Sequence, residues 1–136
     1  MSNGKPFESI DPPDLWRAPG YTNVTVASGA YKLVFIAGQT ALDEKGEIVG
    51  IGDPAAQAER TYLNLKRALD AAGGRPEHVI KWNGYLVGDH DWRVILAGPR
   101  SRHFGSIRPA STHVRVAALI RPELLIEIEA YAVVPT

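Results

Sequence analysis

Cysteine is absent from the 136-residue chain, so disulfides, thiolate nucleophiles and Cys-ligated zinc are excluded together. Net charge is absent too. The 15 Lys and Arg balance the 15 Asp and Glu, so no long-range field draws the molecule toward DNA, RNA or anionic lipid. The longest apolar runs, such as Leu33 to Ala37, are far too short to span a bilayer, and no basic segment followed by a hydrophobic stretch opens the chain. The expectation is a cytoplasmic protein with neither a membrane nor a nucleic-acid partner. Its histidines, His78, His90, His103 and His113, show no metal-ligand spacing, so no metal is expected.

What is present suits one folded unit. Apolar residues make up 45% and charged residues 22%, typical of a globular chain long enough for one hydrophobic core. Residues 1–19 carry four prolines and no clear periodicity, which predicts an extended arm that Phe7 and Trp16 could pin to a domain spanning 20–136. Thr22 to Ala27 and Lys32 to Ala37 are rich in β-branched and apolar residues around Ser28-Gly29, which predicts a β-hairpin.

Asp53-Pro54 supplies a capping carboxylate and a proline suited to a first helical position, and Gly73-Gly74 supplies a stop. Between them Ala58, Tyr62, Leu65, Leu69 and Ala72 form an apolar stripe at helical spacing. His78 to Val87 reads as a strand in which Gly84 marks a bulge. Asp89 to Phe104 reads as two short helical pieces split at Gly98-Pro99. Ser111 to Leu119 and Leu124 to Val134 read as two further strands, the last with Glu127 and Glu129 on one face and Ile126, Ile128 and Ala130 on the other. The order of elements predicts an α+β domain with helices backing a sheet.

Several segments together carry a resemblance: Gly20-Tyr21, VFIAGQTALDEKGEIVG, GDPAAQAERTYLNLKRALDAAGG, HVIKWNGYLV, RPASTHVRVAAL and IEIEAYAV. In this order and spacing the chain resembles the Rid (YjgF-like) family over roughly residues 20–134. The resemblance implies a chorismate-mutase-like mixed sheet backed by two helices, a homotrimer with a central barrel, and ligand clefts between subunits. It also implies hydrolysis of reactive 2-imino or 2-enamino acids without metal or cofactor. In such members an arginine in a Pro-Ala-Arg-Ser stretch grips the substrate carboxylate, a glutamate of the final strand positions water, and a tyrosine near the N-terminus closes the cleft. Tyr21 and Glu127 match, whereas Ser111 stands where the arginine would be, and Ala37 replaces the serine of a Ser-Gly-Gln stretch.

The residues themselves suggest what could replace that grip. Alternation puts Ser111, His113 and Arg115 on one face of their strand. His113 can exchange protons near neutral pH, and Glu127, on what reads as the adjacent strand, could orient it. A structural hydrogen bond for His113 is the competing reading. The catalytic candidates are therefore Glu127, His113 and Tyr21, and the substrate-binding candidates are Ser111, Gly38, Gln39, Asn83 and Arg108. Arg108 enters because a residue held extended before Pro109 could reach the cleft mouth. Arg115 could meet a ligand anion or pair with Glu129. Arg93, Arg100, Arg102, His103 and Arg108 form a basic cluster, read as a solvated helix face in preference to a phosphate-binding patch. Three functions stay open: a metal-free hydrolase or deaminase of a small imine, enamine or related carbonyl compound, a ligand-binding or regulatory trimer, and a ribonuclease.

Overall fold

The computed structural model describes residues 5–136. Two helices, Pro54–Ala71 (α1) and Trp92–Phe104 (α2), cover one face of a four-stranded mixed sheet. Ahead of the sheet, Phe7–Ile10 (β1) and Val24–Ala27 (β2) pair antiparallel as a separate ribbon. The main sheet consists of Tyr31–Gln39 (β3), Val79–Leu86 (β4), Ala110–Arg115 (β5) and Ile126–Pro135 (β6), in the spatial order β3-β6-β4-β5. Strand β6 is antiparallel to both neighbours, while β4 and β5 are parallel, a pairing that needs the crossover supplied by α2.

Helix α1 starts where capping chemistry says it should: the Asp53 carboxylate accepts from the Ala56 N–H at 3.1 Å and Pro54 takes the first turn. It ends before Gly73, whose φ of +76° is a conformation that side-chain-bearing residues resist. Ala58, Tyr62, Leu65 and Leu69 of the expected stripe are buried against the sheet. Gln57 joins them because its amide is satisfied on all sides, donating to the Gly50 and Glu123 carbonyls and accepting from the Leu125 N–H. Under the helices Ile126, Ile128, Ala130 and Ala132 of β6 are fully buried. Tyr62, Trp82 and Phe104 meet edge-on, with ring centroids 5.4–6.1 Å apart, as aromatic quadrupoles prefer.

Several local expectations change. The segments around Ser28-Gly29 do not form a hairpin: β2 pairs with β1 and β3 with β6, so the turn carries the chain from one sheet to another. Part of the presumed arm is thus a strand, with Phe7 buried, whereas Trp16 stays 76% exposed. Helix α2 is continuous through Pro99, because burial of Trp92, Pro99 and Phe104 holds it together across the missing backbone donor. Strand β5 stops at Arg115 instead of reaching Leu119. Gly84 is no bulge, since the β4–β6 register shift lies between Val79 and Lys81. What Gly84 provides is room: a Cβ there would sit 2.2 Å from Cδ2 of His113.

Candidate functional site

Between α2, β5 and the segment before β2 lies a cavity of about 750 Å³, lined by Tyr21, Tyr62, Trp92, Arg100, Ser111 and His113 together with small and apolar neighbours. Its size is that of a small-molecule site. The Gly20-Tyr21 wall is fixed from several sides. Arg100 Nη2 donates to the Gly20 carbonyl at 2.8 Å, Arg108 Nη2 donates to the Tyr21 carbonyl at 2.6 Å, and Thr22 bridges to Ala110 at the start of β5. The opposite wall is β5. Ser111 pairs with Trp82 and His113 with Gly84 across β4, so both side chains stand on the helix-covered side of the sheet.

His113 Nδ1 and Ser111 Oγ lie 3.1 Å apart, within hydrogen-bonding reach. The imidazole pKa is pushed down to about 4, first by desolvation against Gly84 and the cavity wall, then by the positive charges of Arg100 and Lys81. The side chain is nevertheless exposed at the cavity mouth, so the downward direction stands while the full size of the shift belongs to a ring that is covered. At neutral pH His113 is an uncharged ring that can accept a proton or a hydrogen bond.

The other half of the expected site lies on the opposite, open face. Glu127 pairs with Tyr85, and Glu129 pairs with Asn83 across β4 and β6. Tyr85 Oη donates to Glu129 Oε2 at 2.6 Å, a bond that raises the phenol's pKa. Glu127 folds over Gly38, where an added Cβ would lie 2.0 Å from Oε2, so glycine is required for this carboxylate to sit as it does. Gln39, the next residue, pairs with the core residue Ile128 and so does not join Glu127 on the open face; its amide donates to the Ala37 carbonyl at 3.0 Å. Neither the Glu127 carboxylate nor the Asn83 amide has a hydrogen-bond partner among the described residues.

Within one chain the expected His113–Glu127 pair therefore does not exist. Strand β4 separates β5 from β6, and the two side chains leave the sheet on opposite faces. The sequence reading assumed adjacency because β5 and β6 are consecutive, but consecutive strands need not be neighbours in a sheet that contains a crossover. Arg108 does not reach the cavity either: it holds the Ala18 and Tyr21 carbonyls and approaches Asp11 at 3.4 Å. Arg115 pairs with Asp89 at 3.1 Å and not with Glu129. Trp82 belongs to the core, leaving Asn83 on the open face.

The basic cluster is divided among separate partners. Arg102 and His103 converge on the Glu59 carboxylate, whose pKa is held below the usual range chiefly by the Arg102 hydrogen bond. Two charged residues of the cavity lining, Arg93 and Arg100, were not among the sequence-predicted site residues and were visible beforehand only as members of that cluster. Among the described residues no cluster of three His, Asp or Glu side chains is placed to hold a metal ion, and no helix is long and apolar enough to cross a membrane.

Comparison with known proteins adds an independent line. A family model described as Endoribonuclease L-PSP matches residues 17–134. The 3-aminoacrylate deaminase RutC of Acinetobacter baylyi is 34% identical over 108 residues, covering 78% of this chain and 82% of that protein. A RutC family protein of Pyrococcus horikoshii is 39% identical over 104 residues, 76% of this chain and 80% of the relative. Among solved structures, the conserved Rid family protein YyfB from Yersinia pestis has a TM-score of 0.84 at 32% identity, covering 95% of this chain and 99% of that one. RidA from an Antarctic Psychrobacter species has a TM-score of 0.67 at 30% identity, covering 93% of this chain and 99% of that one.

Proposed function

The chain belongs to the Endoribonuclease L-PSP family, the Rid or YjgF-like proteins, and from that premise we propose that it is a metal-free hydrolase of a small imine, enamine or related reactive carbonyl metabolite. The site is completed between copies of the chain in a homotrimer: the helix-side cavity of one copy faces the open sheet face of the next. The observation that carries this reading is the division of the candidate residues. Tyr21, Ser111 and His113 line a cavity on one face of the sheet, while Glu127, Gly38 and Asn83 lie on the other. Each set is half a site, and the exposed Phe35 and Leu33 on the open face give a second copy apolar surface to cover.

The chemistry needs little machinery. Water adds to the C=N carbon, the C–N bond breaks, and the products are a C=O compound and ammonia, so the oxygen and two hydrogens of the water are all accounted for. Glu127, whose carboxylate has no hydrogen-bond partner among the described residues, orients the attacking water and takes its proton. Glu127 returns that proton to the nitrogen to give the carbinolamine, then takes the carbinolamine's hydroxyl proton as C=O forms and passes it to the nitrogen, which leaves as ammonia. Ser111 donates its hydroxyl hydrogen to the substrate, with neutral His113 beside it, and Tyr21 closes the cavity.

A second reading, a ligand-binding trimer without hydrolysis, is favoured by one observation: a short neutral hydroxyl stands at Ser111 on β5. Incubating the purified protein with freshly generated 2-iminopropionate separates the two. Ammonia release well above the uncatalysed rate, lost in Glu127→Gln, is the expected result. Release no faster than buffer would remove the hydrolase reading for this imine class and leave the binding protein.

A further inference from the structure

The helix-side cavity is apolar, aromatic and positively charged, with no counter-charge among the described residues that line it. Trp16, Tyr62, Leu86, Trp92 and Leu96 make up much of its lining, and its charged wall residues are Arg93 and Arg100, with no Asp or Glu. Arg93 is exposed at the rim, whereas Arg100 is half-buried and set deeper, its guanidinium carbon 5.1 Å from the centroid of the core Trp82 ring. Burial pulls the Arg100 pKa down from its ordinary value, but a guanidinium starts so far above neutrality that it stays charged.

Its hydrogen bonds are unevenly spent. Nη2 donates to the Gly20 and Ile107 carbonyls, each at 2.8 Å, which uses both of its hydrogens and fixes the plane of the group. Nε and Nη1 donate to nothing among the described residues, and Arg100 has no carboxylate partner. Nη1 lies beside Gly20, 3.6 Å from where a Cβ would stand, on the cavity wall. A structural role accounts for Nη2 and leaves Nη1 unexplained. A partly desolvated cation without a counter-ion is unfavourable until an anion arrives, and a preorganised one recognises that anion with little further ordering.

We propose that Arg100, projecting from α2, is the carboxylate-binding residue of this cavity, and that its ligands are organic monoanions with an aromatic or branched apolar body. The guanidinium absent from β5 at Ser111 is thus supplied from the helix across the cavity. The apolar end of the ligand lies among Trp92, Tyr62 and Leu96, and the carboxylate meets Nη1. This inference rests on the cavity being the substrate site, yet it concerns binding and not hydrolysis, so the two are tested separately.

The test is titration calorimetry with phenylpyruvate, its methyl ester and pyruvate. The native protein is expected to bind phenylpyruvate roughly tenfold or more tightly than the neutral ester, the size of one charge-assisted hydrogen bond. It should also bind phenylpyruvate more tightly than pyruvate, which cannot fill the aromatic end. Arg100→Gln should abolish the preference for the acid over the ester, the ester affinity measured in the same variant serving as the baseline because the substitution also removes the Gly20 and Ile107 hydrogen bonds. Equal affinity for acid and ester in the native protein would overturn the proposal, as would an acid preference that survives in Arg100→Gln. Should that variant fail to fold, the native acid-against-ester comparison decides alone. Acid-selective binding without ammonia release from any imine removes the hydrolase reading only. Ammonia release without acid selectivity removes this inference only.

Discussion

The two faces of the main sheet are built from the same strands and do opposite jobs. On the helix side Ile126, Ile128, Ala130 and Trp82 are sealed beneath α1 and α2, and the cavity opens where that cover ends. On the open side the intervening residues of the same strands are Glu127, Glu129, Tyr85 and Asn83, with Phe35 and Leu33 still 69% and 53% exposed. One face has its cover within the chain, and the other presents carboxylates, phenols and apolar rings to whatever lies opposite. The contrast separates residues that hold the fold from residues that the fold leaves open, and substitution on each side should behave accordingly.

The largest effect belongs to the covered face. Trp82→Ala removes the centre of the aromatic cluster and should cost about 3–5 kcal/mol in urea unfolding. Phe35→Ala on the open face should change single-chain stability by less than about 1 kcal/mol while weakening self-association, read by light scattering. Equal stability losses from the two would erase the distinction.

Next comes the chemistry. Glu127→Gln should lower ammonia release from 2-iminopropionate by about a hundredfold or more with an unchanged unfolding midpoint, because it removes a proton acceptor and buries nothing new. Gly38→Ala, which drives a methyl into the Glu127 carboxylate, should lose roughly tenfold by misplacing the same group. Retained activity in Gly38→Ala would mean that the position of Glu127 does not matter.

The smallest effect is a pH dependence on the helix side. The folded-state pKa of His113 is pushed down from 6.5 to about 4. Between those values the unfolded chain binds more protons than the folded one. The stability His113 contributes is therefore fully present above pH 6.5 and is lost as pH falls toward 4. His78, also depressed by burial, acts with the same sign. Urea midpoints measured across this window should fall less steeply in His113→Asn than in the native protein, and an unchanged slope would show that the ring is not desolvated.

Much of the architecture was legible because it rests on local chemistry. Asp53-Pro54, the Ala58-to-Leu69 stripe and Gly73 define α1 by capping, spacing and a left-handed stop, and the alternation of β6 separates its carboxylates from its core residues. The order of strands was not legible from that chemistry. Pairing is decided by long-range packing, so β2 joined β1 across the presumed hairpin and β4 came between β5 and β6. For the same reason the His113–Glu127 partnership was misjudged within one chain. Arg100 went unnoticed as a ligand candidate because its place depends on how α2 lies over β5, and no local pattern of residues carries that information.

The absence of cysteine makes the central claim, that the cavity of one copy meets the open face of the next, directly measurable. A double variant, Ser111→Cys with Glu127→Cys, places thiols on opposite faces of each sheet, where a short bis-maleimide cannot join them within a chain. If the faces of neighbouring copies meet, dilute protein treated with the reagent should run as covalent species up to three chains on a denaturing gel, while each single variant stays uncoupled. Single chains alone from the double variant, with both thiols modified, would contradict the account.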